Sequence, residues 1–147
     1  MTQAALSIAA TDLALIEDEV RRVLPREACG LLLGREAADG TLLVSEVVPA
    51  ENKAEGTDRF EIDPVLLLRL HRELRGGPAG IIGHYHSHPG GAAVPSATDQ
   101  AASYTPGFAW LILAMQDGHV SAAAFRHPQD APAPPHAFET LRLVIRP

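Results

Sequence analysis

Two histidines separated by one residue, His86 and His88, are followed by Asp99 in the same short segment of the chain. Imidazole nitrogen and carboxylate oxygen are both good zinc ligands, and a catalytic zinc site keeps a fourth position open for water. Zinc lowers the pKa of that water to about 7, so a hydroxide nucleophile is available at neutral pH. The spacing therefore predicts a small metallohydrolase site, although a His-x-His pair at a strand end also occurs without a metal.

Two further side chains are candidates for the chemistry. Ser96 precedes Asp99 by one helical turn and by default caps a helix, but a hydroxyl so close to a metal ligand can also stabilise an oxyanion. The segment 86–99 offers no spare carboxylate for proton transfer, and Glu27, directly before the apolar run 28–34, is the candidate base. Desolvation there raises the pKa of a carboxyl group toward the range of a general base. The alternative for Glu27 is a capping or salt-bridged surface residue.

Helices and strands that position these residues are predicted from periodicity, caps and turn residues. Three helices are predicted. The first begins after a cap at Thr11 or Asp12 and ends at Pro25, the second covers 64–74 with Asp63 as its cap, and the third covers 97–104 with Ser96 as its cap. The predicted strands are 28–34, 41–48, 79–86, 108–115, 120–126 and 138–145, with hairpin turns at 37–40 and 117–118. The proline-rich segment 127–136 is not expected to form a central strand. This order predicts a single α/β domain over residues 1–147, with one mixed sheet flanked by helices.

Composition and charge exclude several classes of function. The formal net charge is −6 and no block of lysine or arginine occurs, so a nucleic-acid partner is not expected. No stretch approaches the roughly 18 apolar residues of a membrane span, and the N-terminus lacks the basic start of a secretory signal. A single cysteine, Cys29, rules out an intrachain disulfide and suits a reducing compartment. We therefore expect a cytoplasmic protein without a membrane partner.

The chain resembles the JAMM (MPN+) metalloprotease family in segments that lie far apart in the sequence. These segments are Glu27-Ala-Cys-Gly-Leu-Leu-Leu-Gly34, Gly83-His-Tyr-His86-Ser-His88-Pro89 and Ser96-x-x-Asp99. The order of helices and strands is similar over essentially the whole chain, and Asn52 with residues 59–63 resembles the stretch before the middle helix of small bacterial members. This combination is far more specific than a His-x-His pair alone.

The resemblance implies a cytidine-deaminase-like α/β fold and a zinc peptidase or isopeptidase. Relatives cut after the C-terminal Gly-Gly of ubiquitin or of ubiquitin-like proteins, and the short chain favours a small ubiquitin-like or sulfur-carrier partner. By position, His86, His88 and Asp99 would hold one zinc ion per chain. Glu27 would accept the proton of water and pass it to the leaving amine, and Ser96 would donate to the oxyanion.

The remaining candidates are given supporting or structural roles. His84 extends the alternation of histidines and is expected to share the ligand face without binding the metal. Cys29 is expected to be a buried apolar residue, and Trp110 to belong to the core or to a groove wall. The Gly90-Gly91 loop is predicted to flank the substrate channel. The other histidines, predicted to be solvated, are His71, His119, His127 and His136.

Other classes of protein are kept as alternatives. A non-catalytic binding module would have a structural metal or none, and a structural zinc normally has four protein ligands. A His-x-His oxygenase of the cupin type is disfavoured because Gly91, Ala92 and Ala93 stand where a glutamate is expected. A zinc nucleoside deaminase is disfavoured because a Pro-Cys-x-x-Cys motif is absent. Oligomeric state stays open, as does the choice among sulfur-carrier trimming, precursor processing and deconjugation.

Overall fold

A computed structural model of the chain describes residues 4–103, 105–130 and 138–147. The helices and strands in this part of the chain follow the order βαββαβαβββ. The strands are β1 (Ala5–Ala9), β2 (Cys29–Glu36), β3 (Leu42–Ala50), β4 (Gly80–Pro89), β5 (Ala109–Gln116), β6 (His119–Arg126) and β7 (Glu139–Arg146). The helices are α1 (Ala10–Arg22), α2 (Pro64–Leu74) and α3 (Ala97–Ala101).

The strands form one mixed sheet in the order β1-β3-β2-β4-β5-β6-β7. β4 and β5 are parallel, whereas β2 is antiparallel to both of its neighbours, so the predicted mixed α/β character is confirmed. The prediction of a plain sheet flanked by helices is wrong in one respect, because this sheet closes into a barrel. Closure results from β1, which pairs in parallel with both β3 and β7 and thereby joins the two edges.

β1 was not predicted, since nothing in the sequence separates it from the helix that follows. It ends at Ala9 and α1 begins at Ala10, so no turn residue marks the boundary. The predicted caps at Thr11 or Asp12 are also wrong: Ala9 is at the N-cap position, and no side chain caps the helix. The N–H groups at this end are therefore not satisfied by a capping side chain.

The apolar core has two layers that meet at β2. The larger layer lies between α1 and the sheet, and the smaller one lies under α2. Leu32 faces the larger layer, whereas Leu31 and Leu33 face the smaller one. A strand covered on both faces has a continuous apolar sequence, which explains the run in β2 and agrees with its predicted burial.

The middle helix is the most accurately predicted element. α2 spans the predicted residues, and the Asp63 side chain caps it by accepting a hydrogen bond from the Val65 amide at 2.9 Å. α3 is shorter than predicted because it ends at Ala101, and Tyr104 lies outside the described residues. In the ranges that the structure describes, no helix has the length and apolar character needed to cross a bilayer.

The two predicted hairpin turns join the strands where expected. The turn between β5 and β6 has positive φ angles at Asp117 (52°) and Gly118 (80°), as a type I′ turn requires. The turn between β2 and β3 is closed by the Ala37 amide, which donates to the carbonyl oxygen of Thr41 at 2.8 Å. The proline-rich segment has no strand over residues 127–130, and 131–137 lie outside the described residues.

Gly83 lets β4 lie close to β5, and this packing gives a testable prediction. A Cβ atom at Gly83 would lie 2.3 Å from the carbonyl oxygen of Ala109, a backbone atom that cannot rotate away. We expect Gly83→Ala to lower the free energy of unfolding by about 1–3 kcal/mol in urea denaturation. Gly80 lies in the same strand with no atom within 4 Å of its added Cβ, so Gly80→Ala is the matched control. Equal stability of the two variants would contradict the prediction.

Candidate metal centre and active site

β4 carries three histidines whose rings lie on one side of the strand, as their alternate spacing predicts. The rings of His84 and His86 stack with their centroids 5.8 Å apart, and those of His86 and His88 are 4.9 Å apart. Phe60 stacks against this array, 4.4 Å from the ring of His86. His86 is fully buried, whereas the His88 side chain is 14% exposed. The strand therefore presents adjacent imidazoles at the boundary between the core and solvent.

Asp99, in the first turn of α3, completes a triangle of ligand atoms with His86 and His88. Its Oδ2 atom lies 3.2 Å from Nε2 of His86 and 3.1 Å from Nε2 of His88. The two Nε2 atoms are 3.1 Å from each other. We call these three atoms the ligand triangle.

The ligand triangle has the size and chemistry of one face of a tetrahedral zinc site. Zinc–ligand bonds of about 2.0–2.1 Å place neighbouring ligand atoms about 3.3 Å apart. Nδ1 of His88 donates to the carbonyl oxygen of Ala92 at 2.9 Å, so the neutral ring carries its hydrogen on Nδ1 and its Nε2 lone pair faces the triangle. The residues present therefore fit a zinc ion.

The protonation equilibria of the triangle suit a cation. Burial lowers the pKa of His86, which keeps its imidazole neutral at neutral pH. Burial alone would raise the pKa of Asp99, but hydrogen bonds from His86 and His88 outweigh burial and lower that pKa. Hydrogen bonding to Asp99 raises the pKa of His88 against the opposing effect of burial. A neutral imidazole and an ionised carboxylate are the forms that bind a metal, so binding is favoured as His88 loses its proton.

Ser96 fixes Asp99 through reciprocal hydrogen bonds at the start of α3. The Ser96 hydroxyl oxygen accepts from the Asp99 amide at 3.0 Å, and the Ser96 amide donates to Oδ2 of Asp99 at 2.9 Å. This arrangement is a capping box, so the default role of Ser96 as a helix cap is present. Because the hydroxyl oxygen acts as the acceptor here, its hydrogen can be directed at another group.

Strand register places Glu27 beside the ligand triangle. β2 runs antiparallel to β4, and Cys29 is paired with His86. Continuing this register brings Glu27, just before β2, opposite His88. One ligand atom from each of Glu27, His86 and His88 lies within 4.8 Å of the others. These three residues could also hold a metal ion, but the shorter distances in the ligand triangle favour Asp99 as the third ligand.

Glu27 is a buried carboxylate and not a solvated surface residue. It is 4% exposed, and its Oε1 atom has no hydrogen-bond partner among the described residues. Burial raises the pKa of Glu27 to about 7, with His88 opposing this shift and Asp99 adding to it. A carboxyl group of this kind can both accept and release a proton near neutral pH.

Asn52 organises the loop over the site, and its contacts were not predicted. It is buried, and its side chain joins the start of β2 to the segment that carries Phe60. The residues of this loop were singled out only by resemblance, because an asparagine in a polar segment gives no signal of its partners. Nδ2 of Asn52 donates to the carbonyl oxygens of Glu27 (3.1 Å) and Arg59 (3.0 Å). Its Oδ1 atom accepts from the amides of Ala54 (2.9 Å) and Glu61 (3.1 Å).

His84 contributes no atom to the ligand triangle. Its ring packs edge-on against Trp110 with the centroids 4.2 Å apart, and it lies 5.1 Å from the ring of Phe60. Burial, together with a smaller contribution from nearby His86, lowers the pKa of His84 to about 3, so the ring is neutral. Trp110 is itself buried. The two residues form an apolar and aromatic floor behind the ligand triangle.

Two other singled-out residues are also buried. Cys29 is fully buried and burial raises the pKa of its thiol to about 12, which agrees with the prediction of an apolar role. The prediction that His127 is solvated is wrong: it is fully buried, with Nδ1 2.8 Å from the hydroxyl oxygen of Ser103. His71 and His119 are exposed as predicted, and His136 lies outside the described residues.

Two cavities lie beside the ligand triangle. The large groove has a volume of about 800 Å³, and the small pocket has a volume of about 470 Å³. Gly91, predicted to flank a substrate channel, lines the small pocket. Residues of the large groove include Phe60, Ile62, His84, Asp99, Phe108 and Trp110, and those of the small pocket include Glu27, Asp58, His88, Val94 and Ser96. Since Asp99 lines one cavity and His88 the other, the ligand triangle lies between them.

The chain belongs to the Prok-JAB family, the prokaryotic homologs of the JAB domain, whose profile matches residues 11–128. The predicted resemblance to JAMM/MPN proteins is thereby confirmed. Desampylase of Haloferax volcanii is 33% identical over 127 residues, which cover 83% of this chain and 88% of that protein. CysO-cysteine peptidase of Mycobacterium tuberculosis is 28% identical over 99 residues, covering 67% and 66% of the two chains.

The fold is also similar to solved structures. A Desulfitobacterium hafniense protein with a known solution structure matches with a TM-score of 0.80 and 25% identity. The match covers 96% of this chain and 92% of that one. The described architecture is therefore shared over almost the full length of both proteins.

Proposed function

We propose that the chain is a zinc-dependent peptidase or isopeptidase, acting as a single domain over residues 1–147 with one zinc ion. It hydrolyses the bond after the C-terminal Gly-Gly of a ubiquitin-like or sulfur-carrier protein. The observation that carries this proposal is the ligand triangle with Glu27 beside it, whose buried Oε1 atom has no hydrogen-bond partner among the described residues. The peptidase and desampylase names of relatives similar over most of the chain support it.

The atoms that would hold zinc are Nε2 of His86, Nε2 of His88 and Oδ2 of Asp99. When bound, zinc supplies a coordinated water with a pKa of about 7 and polarises a carbonyl group. A site with three protein ligands is typical of catalytic zinc, whereas structural zinc normally has four. This ligand count favours an enzyme over a non-catalytic binding module.

Glu27 transfers the proton during hydrolysis, and Ser96 stabilises the oxyanion. Glu27 accepts a proton from the attacking water and delivers it to the nitrogen of the bond that breaks. The Ser96 hydroxyl donates to the carbonyl oxygen as negative charge develops on it. The large groove has Asp99 in its lining and provides apolar walls for an extended C-terminal tail.

The test is cleavage of a ubiquitin-like protein fused through its Gly-Gly end to a reporter. We expect the zinc-loaded chain to release a product that ends in Gly-Gly, identified by mass spectrometry. Complete removal of the metal should lower the rate by at least about a hundredfold, and added zinc should restore it. Undiminished cleavage after complete metal removal would contradict the proposal, and binding of the fusion without cleavage would favour a binding module.

A further inference from the structure

The large groove and the small pocket differ in their access to Glu27. This difference indicates which side of the cleaved bond each cavity receives. Glu27 lines the small pocket but not the large groove. A third cavity of about 350 Å³ also touches Glu27, but it includes neither Ser96 nor any residue of the ligand triangle. Because the group that protonates the departing nitrogen must be within hydrogen-bond reach of it, the amine side of the cleaved bond belongs in the small pocket. The Gly-Gly tail then occupies the large groove.

The small pocket is acidic. Glu27 and Asp58 contribute carboxylates to its lining, His88 is the one other titratable residue there, and no lysine or arginine lines it among the described residues. The nearest cation in sequence, Arg59, is 3.6 Å from Asp58, but it lines the large groove. The side chains of Asp58 and Arg59 are 81% and 62% exposed, so their pairing leaves most of the Asp58 charge effective.

Apart from Thr57 and Ser96, the remaining walls of the pocket are small and apolar. They are formed by the loop between His88 and Ser96, where Val94 is 53% exposed. The apolar lining residues of this loop are Pro89, Ala92, Val94 and Pro95. Such walls can pack against the methylene groups of a long side chain, whereas they offer no partner for a carboxylate.

We propose that Asp58 is a specificity-determining residue of the small pocket, which disfavours leaving groups with a free α-carboxylate relative to neutral amides and to an Nε-linked lysine in a capped peptide. The inference rests on the proposed function and narrows its substrate class. Hydrolysis breaks the glycine carbonyl–Nε bond, and water supplies a hydroxyl to the carbon and a hydrogen to the nitrogen. An α-linked single amino acid would instead place its carboxylate in the pocket that the Asp58 carboxylate lines, where like charges repel.

The test compares three substrates made from one ubiquitin-like protein that ends in Gly-Gly. The first is linked to Nε of lysine in a capped peptide, the second to alanine with a free carboxylate, and the third to alanine amide. With the zinc-loaded chain, we expect kcat/KM for alanine amide to exceed that for alanine carboxylate by about tenfold, with the isopeptide cleaved at least as fast as the amide. Asp58→Asn should lower the ratio of kcat/KM for alanine amide to kcat/KM for alanine carboxylate by about threefold.

Asp18→Asn is the matched control. Asp18 is 85% exposed and lies 3.8 Å from Arg21, much as Asp58 pairs with Arg59, but it is on α1 and lines none of the three cavities described above. Equal or faster cleavage of the carboxylate substrate would overturn the inference. So would an Asp58→Asn variant with the wild-type ratio of kcat/KM for amide to kcat/KM for carboxylate, or an Asp18→Asn variant that lowers this ratio as much as Asp58→Asn does. Failure to cleave any of the three substrates would overturn the proposed function itself.

Discussion

Glu27→Gln is expected to abolish peptide-bond hydrolysis while the chain still binds one zinc ion. Glutamine preserves the size of the side chain but cannot accept a proton, and general acid–base catalysis contributes about 10²–10⁴-fold to a rate. We therefore expect kcat on a Gly-Gly fusion to fall by at least about a hundredfold. Zinc content, measured by mass spectrometry of metals, should equal that of the wild type because Glu27 is outside the ligand triangle.

Glu55→Gln is the control for this substitution, because Glu55 is an exposed glutamate in the loop that covers the site. It should retain wild-type activity and zinc content. If Glu27→Gln kept most of its activity, another group would have to transfer the proton. If Glu27→Gln lost zinc together with activity, Glu27 would act as a ligand and Asp99 would need a different role.

Asp99→Asn is expected to remove zinc from the protein. The substitution removes the one negative charge of the ligand triangle, but an asparagine oxygen can still accept the hydrogen bond from Ser96, so α3 should persist. Zinc at about a thousand times its Kd stabilises a folded chain by about 4 kcal/mol. In a protein of this size, such stabilisation raises Tm by roughly 10 °C. We expect thermal denaturation to show that increase for the wild type and no increase for Asp99→Asn.

Asp63→Asn provides the comparison, because Asp63 caps α2 and asparagine caps helices equally well. It should bind zinc as the wild type does and show the same increase in Tm. Wild-type zinc affinity in Asp99→Asn would mean that Glu27, His86 and His88 form the metal site.

The parts of the site that depend on local sequence could be predicted. Period-two alternation placed His86 and His88 on one face of a strand. The Ser96 cap placed Asp99 in the first turn of a helix. In the same way, Asp63 followed by Pro64 marked the start of α2 within a residue. Each of these features depends on neighbours only a few positions away.

The parts that depend on distant contacts could not be predicted. Closure of the barrel requires Leu6 to pair with both Leu42 and Leu143, and nothing near β1 indicates either partner. Asn52 and Phe60 likewise act through bonds and ring contacts made only in the folded chain. The burial of His127 has the same origin, because a histidine beside a proline-rich segment gives no sign of the Ser103 hydroxyl that meets it.

Under the proposed function, the alignment of β2 with β4 also determines whether the chain is reactive. The three ligand atoms come from one contiguous stretch of sequence, whereas the Glu27 side chain comes from the start of a different strand. The carboxyl group of Glu27 arrives only after Ala28 and Ser87 have exchanged their hydrogen bonds across the two strands. Under the proposed function, a chain in which this pairing has not formed lacks its proton-transfer group and cannot cleave other proteins.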